Sequence, residues 1–230
     1  MVAGPSHRDA TEREVGVPLG RIALQGTLDV PRGSEGIVLF AHGSGSSRHS
    51  PRNRYVAGVL REAGLATLLM DLLTIDEEAV DARTAHLRFD IDLLAERLVG
   101  ATDWLAQNPE TRALRLGYFG ASTGAAAALV AAAERPDAVH AVVSRGGRPD
   151  LAGAALARVK APTLLIVGGD DVPVIELNRR ALAALRAEAR LEIVPGASHL
   201  FEEPGTLERV AALARQWFEA RLAPRHAERS

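Results

Sequence analysis

The stretch LRLGYFGASTGAAAALVAAAE (residues 114–134) decides how the rest of the chain is read. Its first part, 114–120, is a short apolar run closed by glycine, the pattern of a buried strand. Its second part is rich in alanine and predicts a closely packed helix. Between them stands Gly120-Ala121-Ser122-Thr123-Gly124, a G-x-S-x-G turn. A serine in so sharp a strand-to-helix turn is forced toward a strained backbone, and side chains two residues to either side would collide. Glycines at 120 and 124 remove the collision and let Ser122 Oγ project above the sheet. The amides of the helix that begins there point at the same place. A serine N-cap would give the same letters; the strand before and the helix after favour a nucleophile.

Outward from this turn the chain alternates. VGVPLGRIALQGTLDV (15–30) predicts a hairpin, and GIVLFAHG (36–43), LATLLMDLL (65–73), AVHAVVSRGG (138–147), APTLLIVGG (161–169) and ARLEIVPG (189–196) predict strands. Helical patterns fall at 53–64, 89–108, 174–188 and 205–222. The strands are continuous apolar runs, as expected of strands covered on both faces, so the reading is an α/β fold with a mostly parallel central sheet flanked by helices. Residues 15–222 read as a single domain, with flexible tails at 1–14 and 223–230.

In such sheets the chemistry gathers where strands end. A nucleophilic serine needs a base, and the base an orienting acid. Asp170 and Asp171 follow the strand 161–169, and His199 lies in the loop PGASHLFEEPG after the last strand. Of the two aspartates, Asp171 is favoured because G-x-x-D from Gly168 lets the turn leave the strand before the carboxylate turns back; Asp170 is then a helix cap. The loop AHGSGS (41–46) offers small residues that let backbone amides approach an oxyanion, and the amides of Ser44 and Thr123 are the assigned donors. A phosphate-cradling loop is the competing reading. It fails because Arg48 stands where G-x-G-x-x-G needs its last glycine and no G-K-[ST] follows. His42 reads as a structural histidine bonded to loop backbone.

Composition narrows the function further. The 230 residues are 47% hydrophobic and carry a formal net charge of −2, which argues against nucleic-acid and membrane-surface binding. There are no cysteines, hence no disulfides or thiolate chemistry. The remaining histidines lack ligand spacing, so no metal and no cofactor are expected. The first residues lack a signal-peptide core and no apolar run reaches membrane length; the expected location is cytoplasmic. Arg48, Arg145 and Arg148 fall in loops at the predicted strand ends. They are candidates for binding an anionic group on a small-molecule substrate.

The segments FAHGSGSSRHSPRN, FGASTGAAAAL, VVSRGGRPDLAG, PTLLIVGGDD and PGASHLFEEPG resemble the α/β-hydrolase superfamily, and within it the dienelactone hydrolase-like branch, over roughly residues 36–218. The resemblance implies an α/β-hydrolase fold with little or no lid. It also implies a Ser122–His199–Asp171 triad, with the loop after His42-Gly43 completing the oxyanion hole. Some proteins of this branch are joined to a phosphoribosyltransferase domain, to which no segment here corresponds. Dienelactone hydrolases proper use a cysteine nucleophile where this chain has Ser122, so the likeness carries fold and triad further than substrate. The expected activity is that of a serine hydrolase, in the first place a carboxylesterase. A thioesterase, peptidase or acyltransferase with the same triad, or a non-catalytic binding domain, are the alternatives.

Overall fold

The computed structural model describes residues 12–223. One eight-stranded sheet runs through them in the order β1-β2-β4-β3-β5-β6-β7-β8. The expected hairpin is β1 (Arg13–Leu19) and β2 (Ile22–Asp29), turned at Gly20 with φ +64°. Its first strand begins inside the stretch read as a tail, because Arg13 and Glu14 pair with Leu28 and Thr27. The rest of the expected tails, 1–11 and 224–230, lies outside the described residues. β2 runs antiparallel to β4 (Ala66–Met70). The other neighbours, β4, β3 (Gly36–Ala41), β5 (Arg115–Ala121), β6 (Val139–Arg145), β7 (Thr163–Gly168) and β8 (Ala189–Val194), are parallel throughout.

Alternate residues of the apolar strands feed two cores. Ile37, Leu39, Leu116, Tyr118 and Leu165 pack against α3 (Ile91–Gln107) and α4 (Thr123–Glu134). Val38, Phe40, Phe119, Val143 and Ile166 face the opposite way, onto α1 (Pro51–Glu62) and α6 (Thr206–Leu222). Two-sided burial is why these runs show no polar alternation. Glycines set the depth of the α6 packing: a Cβ on Gly117 would stand 2.7 Å from the Phe218 ring, and one on Gly36 2.6 Å from Leu222 Cβ.

Two features depart from the sequence reading. Residues 75–84 form α2 (Ile75–Thr84), opened by a capping box in which Thr74 Oγ1 accepts from Glu77 N and Glu77 accepts from Thr74 N. The segment Pro149–Arg158 is a 3-10 helix, kinked at Gly153. The helix read at 174–188 is α5 (Val172–Ala184), which starts two residues earlier than read, directly after Asp171. Among the described residues no separate helical domain is inserted over the strand ends; α2 and short 3-10 turns are all that stands there, so the lid is minimal.

The strand order places the site. From β3 the chain passes through α1 to β4 on one side, and it returns through α3 to β5 on the other. The loops leaving β3 and β5 therefore diverge to opposite faces and open a crevice at the carboxyl ends of adjacent strands.

Candidate active site

Ser122 stands in that crevice, between β5 and α4, with φ +50° and ψ −122°. A positive φ at a residue with a Cβ costs on the order of 1–3 kcal/mol and persists only where the surroundings impose it. Here they do. Ser122 N donates to Arg145 O at 3.3 Å, while Ser122 O accepts from Ala125 N and Arg148 N at 3.1 Å each. The flanking glycines have no room for a side chain. A Cβ on Gly124 would lie 2.4 Å from the carbonyl oxygens of Ala41 and His42, and one on Gly120 2.4 Å from Ala125 Cα. The β3 loop passes so near that a Cβ on Gly43 would come within 3.0 Å of Ser122 Cβ.

Of the two aspartates after β7, the structure brings Asp171 to the histidine: Asp171 Oδ2 lies 2.6 Å from His199 Nδ1. Asp171 is largely shielded, at 13% side-chain exposure, and His199 is more open, at 38%. Asp170 is exposed and its backbone amide donates to Ala197 O. The two loops approach through Gly168, where a Cβ would sit 2.3 Å from Ala197 O. His199 also packs on Gly146 (φ +51°), whose Cβ would fall 3.0 Å from His199 O. Gly146 follows the residue whose carbonyl holds Ser122 N, so β6 links the serine and histidine loops.

Glu203 was not among the candidate residues, yet it ties the histidine loop. Its carboxylate accepts from Ser198 N at 3.0 Å, and that bond holds its pKa below the usual carboxylate value. Phe201 is buried behind His199 with φ +57°.

Of the two backbone amides assigned as oxyanion donors, one is engaged within the protein. Ser44 N does not point freely into the crevice; it donates to Thr123 Oγ1 at 3.0 Å. Thr123 N lies in the first turn of α4, where a helix offers its amides no acceptor. His42 is buried, and its Nε2 accepts from Leu72 N at 3.1 Å, which leaves the Nδ1 proton for Gly43 O at 2.9 Å. Burial keeps its pKa below the ordinary histidine value, and its two ring bonds pin the loop.

The three candidate arginines are placed differently from one another. Arg48 donates through its amide to Asp71 at 2.7 Å, and its guanidinium pairs with Asp71 and, at 3.2 Å, with Glu14. Arg148 grips Asp150 with two bonds of 2.9 and 2.8 Å. Both charges are thus taken by carboxylates and fasten loops. Arg145 is 5% exposed, donates to Asn53 Oδ1 at 3.3 Å and lies 5.9 Å above the Phe201 ring. Burial, and secondarily Arg52, push its pKa down to about 10.

Beside the β3 loop lies a cavity of about 460 Å³, whose lining includes Ser44, Ser46, Leu72, Leu73, Glu78 and Arg88. Partial burial, reinforced by Asp71, raises the pKa of Glu78 at its rim. Arg88 is held by Asp81, which accepts from its Nε at 2.5 Å. Among the described residues no group of His, Asp and Glu could hold a metal ion, and no helix is long and apolar enough to cross a membrane.

Comparison with known proteins agrees with this architecture. A crystal structure of a dienelactone hydrolase from Anabaena variabilis is 66% identical, with a TM-score of 0.92 over 94% of this chain and 100% of that one. A Mycobacterium tuberculosis protein named "Putative phosphoribosyl transferase" is 61% identical over 216 residues, 94% of this chain but 47% of its own length, so the chain spans about half of that relative. An uncharacterized protein of the same organism is 31% identical, over 85% of this chain and 73% of its own. The dienelactone hydrolase family itself matches residues 25–222, from the second strand of the hairpin to the end of the last helix. The chain belongs to the dienelactone hydrolase family, with the α/β-hydrolase fold.

Proposed function

We propose that this hydrolase-fold protein cleaves carboxylic esters of small molecules through a covalent acyl-serine. The observation that carries the reading is the backbone of Ser122: a serine held at φ +50° between two glycines that tolerate no Cβ. Strain of that kind serves no packing purpose and presents one hydroxyl above the sheet.

The remaining parts fit the chemistry. With Nδ1 engaged by Asp171, His199 keeps Nε2 for proton transfer, and the carboxylate stabilises the imidazolium that forms. Ser122 Oγ bonds to the ester carbonyl carbon as its proton passes to His199, and the carbonyl π pair moves onto oxygen. Collapse of the tetrahedral adduct breaks the bond to the alkoxide, which takes the proton back from His199. Water then repeats the sequence on the acyl-serine and releases the acid. The cavity beside the β3 loop is not lined by Ser122 itself but reaches it through Gly43, whose Cβ would stand 3.0 Å from Ser122 Cβ, and is the space offered to an acyl group.

A fluorophosphonate probe tests the reading. One label is expected, on Ser122, and none on Ser122→Ala. Labelling of the folded protein elsewhere, or none at all, would reject it.

A further inference from the structure

The bond from Ser44 N to Thr123 Oγ1 leaves the oxyanion hole with an unexpected composition. One amide of the assigned pair is occupied, and what occupies it is a hydroxyl. Thr123 is 4% exposed, on the residue next to the nucleophile, while Ser44 and Gly45 opposite it are open to solvent. A hydroxyl that accepts a bond through its oxygen still has a proton to give. Among the described residues no acceptor takes it.

We propose that the side-chain hydroxyl of Thr123 is an oxyanion donor, so that one residue supplies both its backbone N–H and its Oγ–H to the developing alkoxide. The inference rests on the acyl-serine reading above. In it, Ser44 N acts behind the hole: by donating to Thr123 Oγ1 it fixes the threonine rotamer and polarises the O–H toward stronger donation. Both donors are then placed by the start of α4, the element that also holds Ser122. The nucleophile and both donors thus sit on consecutive residues, and the β3 loop sets only the threonine rotamer. His42 and Gly43 keep Ser44 in place from the other side.

The decisive variants are Thr123→Val, which keeps shape and removes the hydroxyl, and Thr123→Ser, which keeps the hydroxyl. On a p-nitrophenyl ester, Thr123→Val should lower kcat by about 10²–10³, the usual effect of deleting one oxyanion donor, with KM little changed. Thr123→Ser should stay within about tenfold of wild type. An alkyl trifluoromethyl ketone, which closes on serine as a tetrahedral oxyanion, should bind Thr123→Val more weakly by a similar factor. Its planar, non-reacting methyl ketone counterpart should bind both proteins alike. If Thr123→Val turns over normally, or if Val and Ser lose equal activity with the trifluoromethyl ketone unaffected, the hydroxyl is structural and the proposal falls. Fluorophosphonate labelling separates the two levels. A wild type that does not label at Ser122 overturns the acyl-serine reading and this proposal together. A labelled wild type with a fully active valine variant overturns the hydroxyl's role alone.

Discussion

At the scale of single residues, Asp171 and Asp170 form a natural control. They are adjacent, equally charged and both near β7, yet Asp171 alone of the two contacts His199. Asp171→Asn should reduce turnover by on the order of 10³–10⁴ with the fold retained, since an amide no longer enforces the productive tautomer. Asp170→Asn should change it less than about threefold, measured as kcat/KM on the same ester. The reverse ranking would reassign the acid. The pairing of Asp171 with His199 was legible in the sequence because each follows a separate strand end in the order the fold uses. The fate of Ser44 N was not, because its partner is a side chain 79 positions away whose rotamer no local pattern fixes. The ion pairs of Arg48 were not legible for the same reason: Asp71 and Glu14 lie on other strands' ends and edges.

At the scale of elements, α4 shows what the alanines accomplish. Every residue from Thr123 to Ala133 is buried, so the helix can approach the sheet only with small side chains along most of its surface. At Gly124 even a methyl group is too much, for it would meet two backbone carbonyls that cannot rotate away. Gly124→Ala should therefore destabilise the protein by about 1–3 kcal/mol in urea unfolding, and should depress fluorophosphonate labelling of the folded fraction. A variant of wild-type stability would mean that β3 and α4 can separate without consequence. The sequence disclosed this helix and most others through periodicity. It concealed α2, whose ten residues include a single buried one, Asp81, and so present no apolar face. The capping box at Thr74 and Glu77 was the available signal, and it marks a start without saying how far a helix runs.

Over the whole molecule, the two-sided sheet was readable as soon as the strands proved continuously apolar. Strand order was not, since several arrangements bury the same runs. What holds the α6 side in place is a small set of large side chains seated over glycine. Phe218, fully buried against Gly117, is central to it. Phe218→Ala should cost about 3–5 kcal/mol in urea unfolding, as for other aromatic deletions in cores. A loss below about 1 kcal/mol would show that α6 contributes little to the fold. The position of β8 has a different consequence. It is the last strand of the sheet, bonded to β7 alone, and the histidine loop hangs directly from it. Opening of that border would carry His199 off Asp171 and, through Val194, Ala197 and Phe201, loosen the margin of one core while the other stayed closed. On the acyl-serine reading, a sample can then hold molecules whose remaining sheet is native and which are yet silent, and its specific activity becomes a gauge of how tightly one margin is sealed.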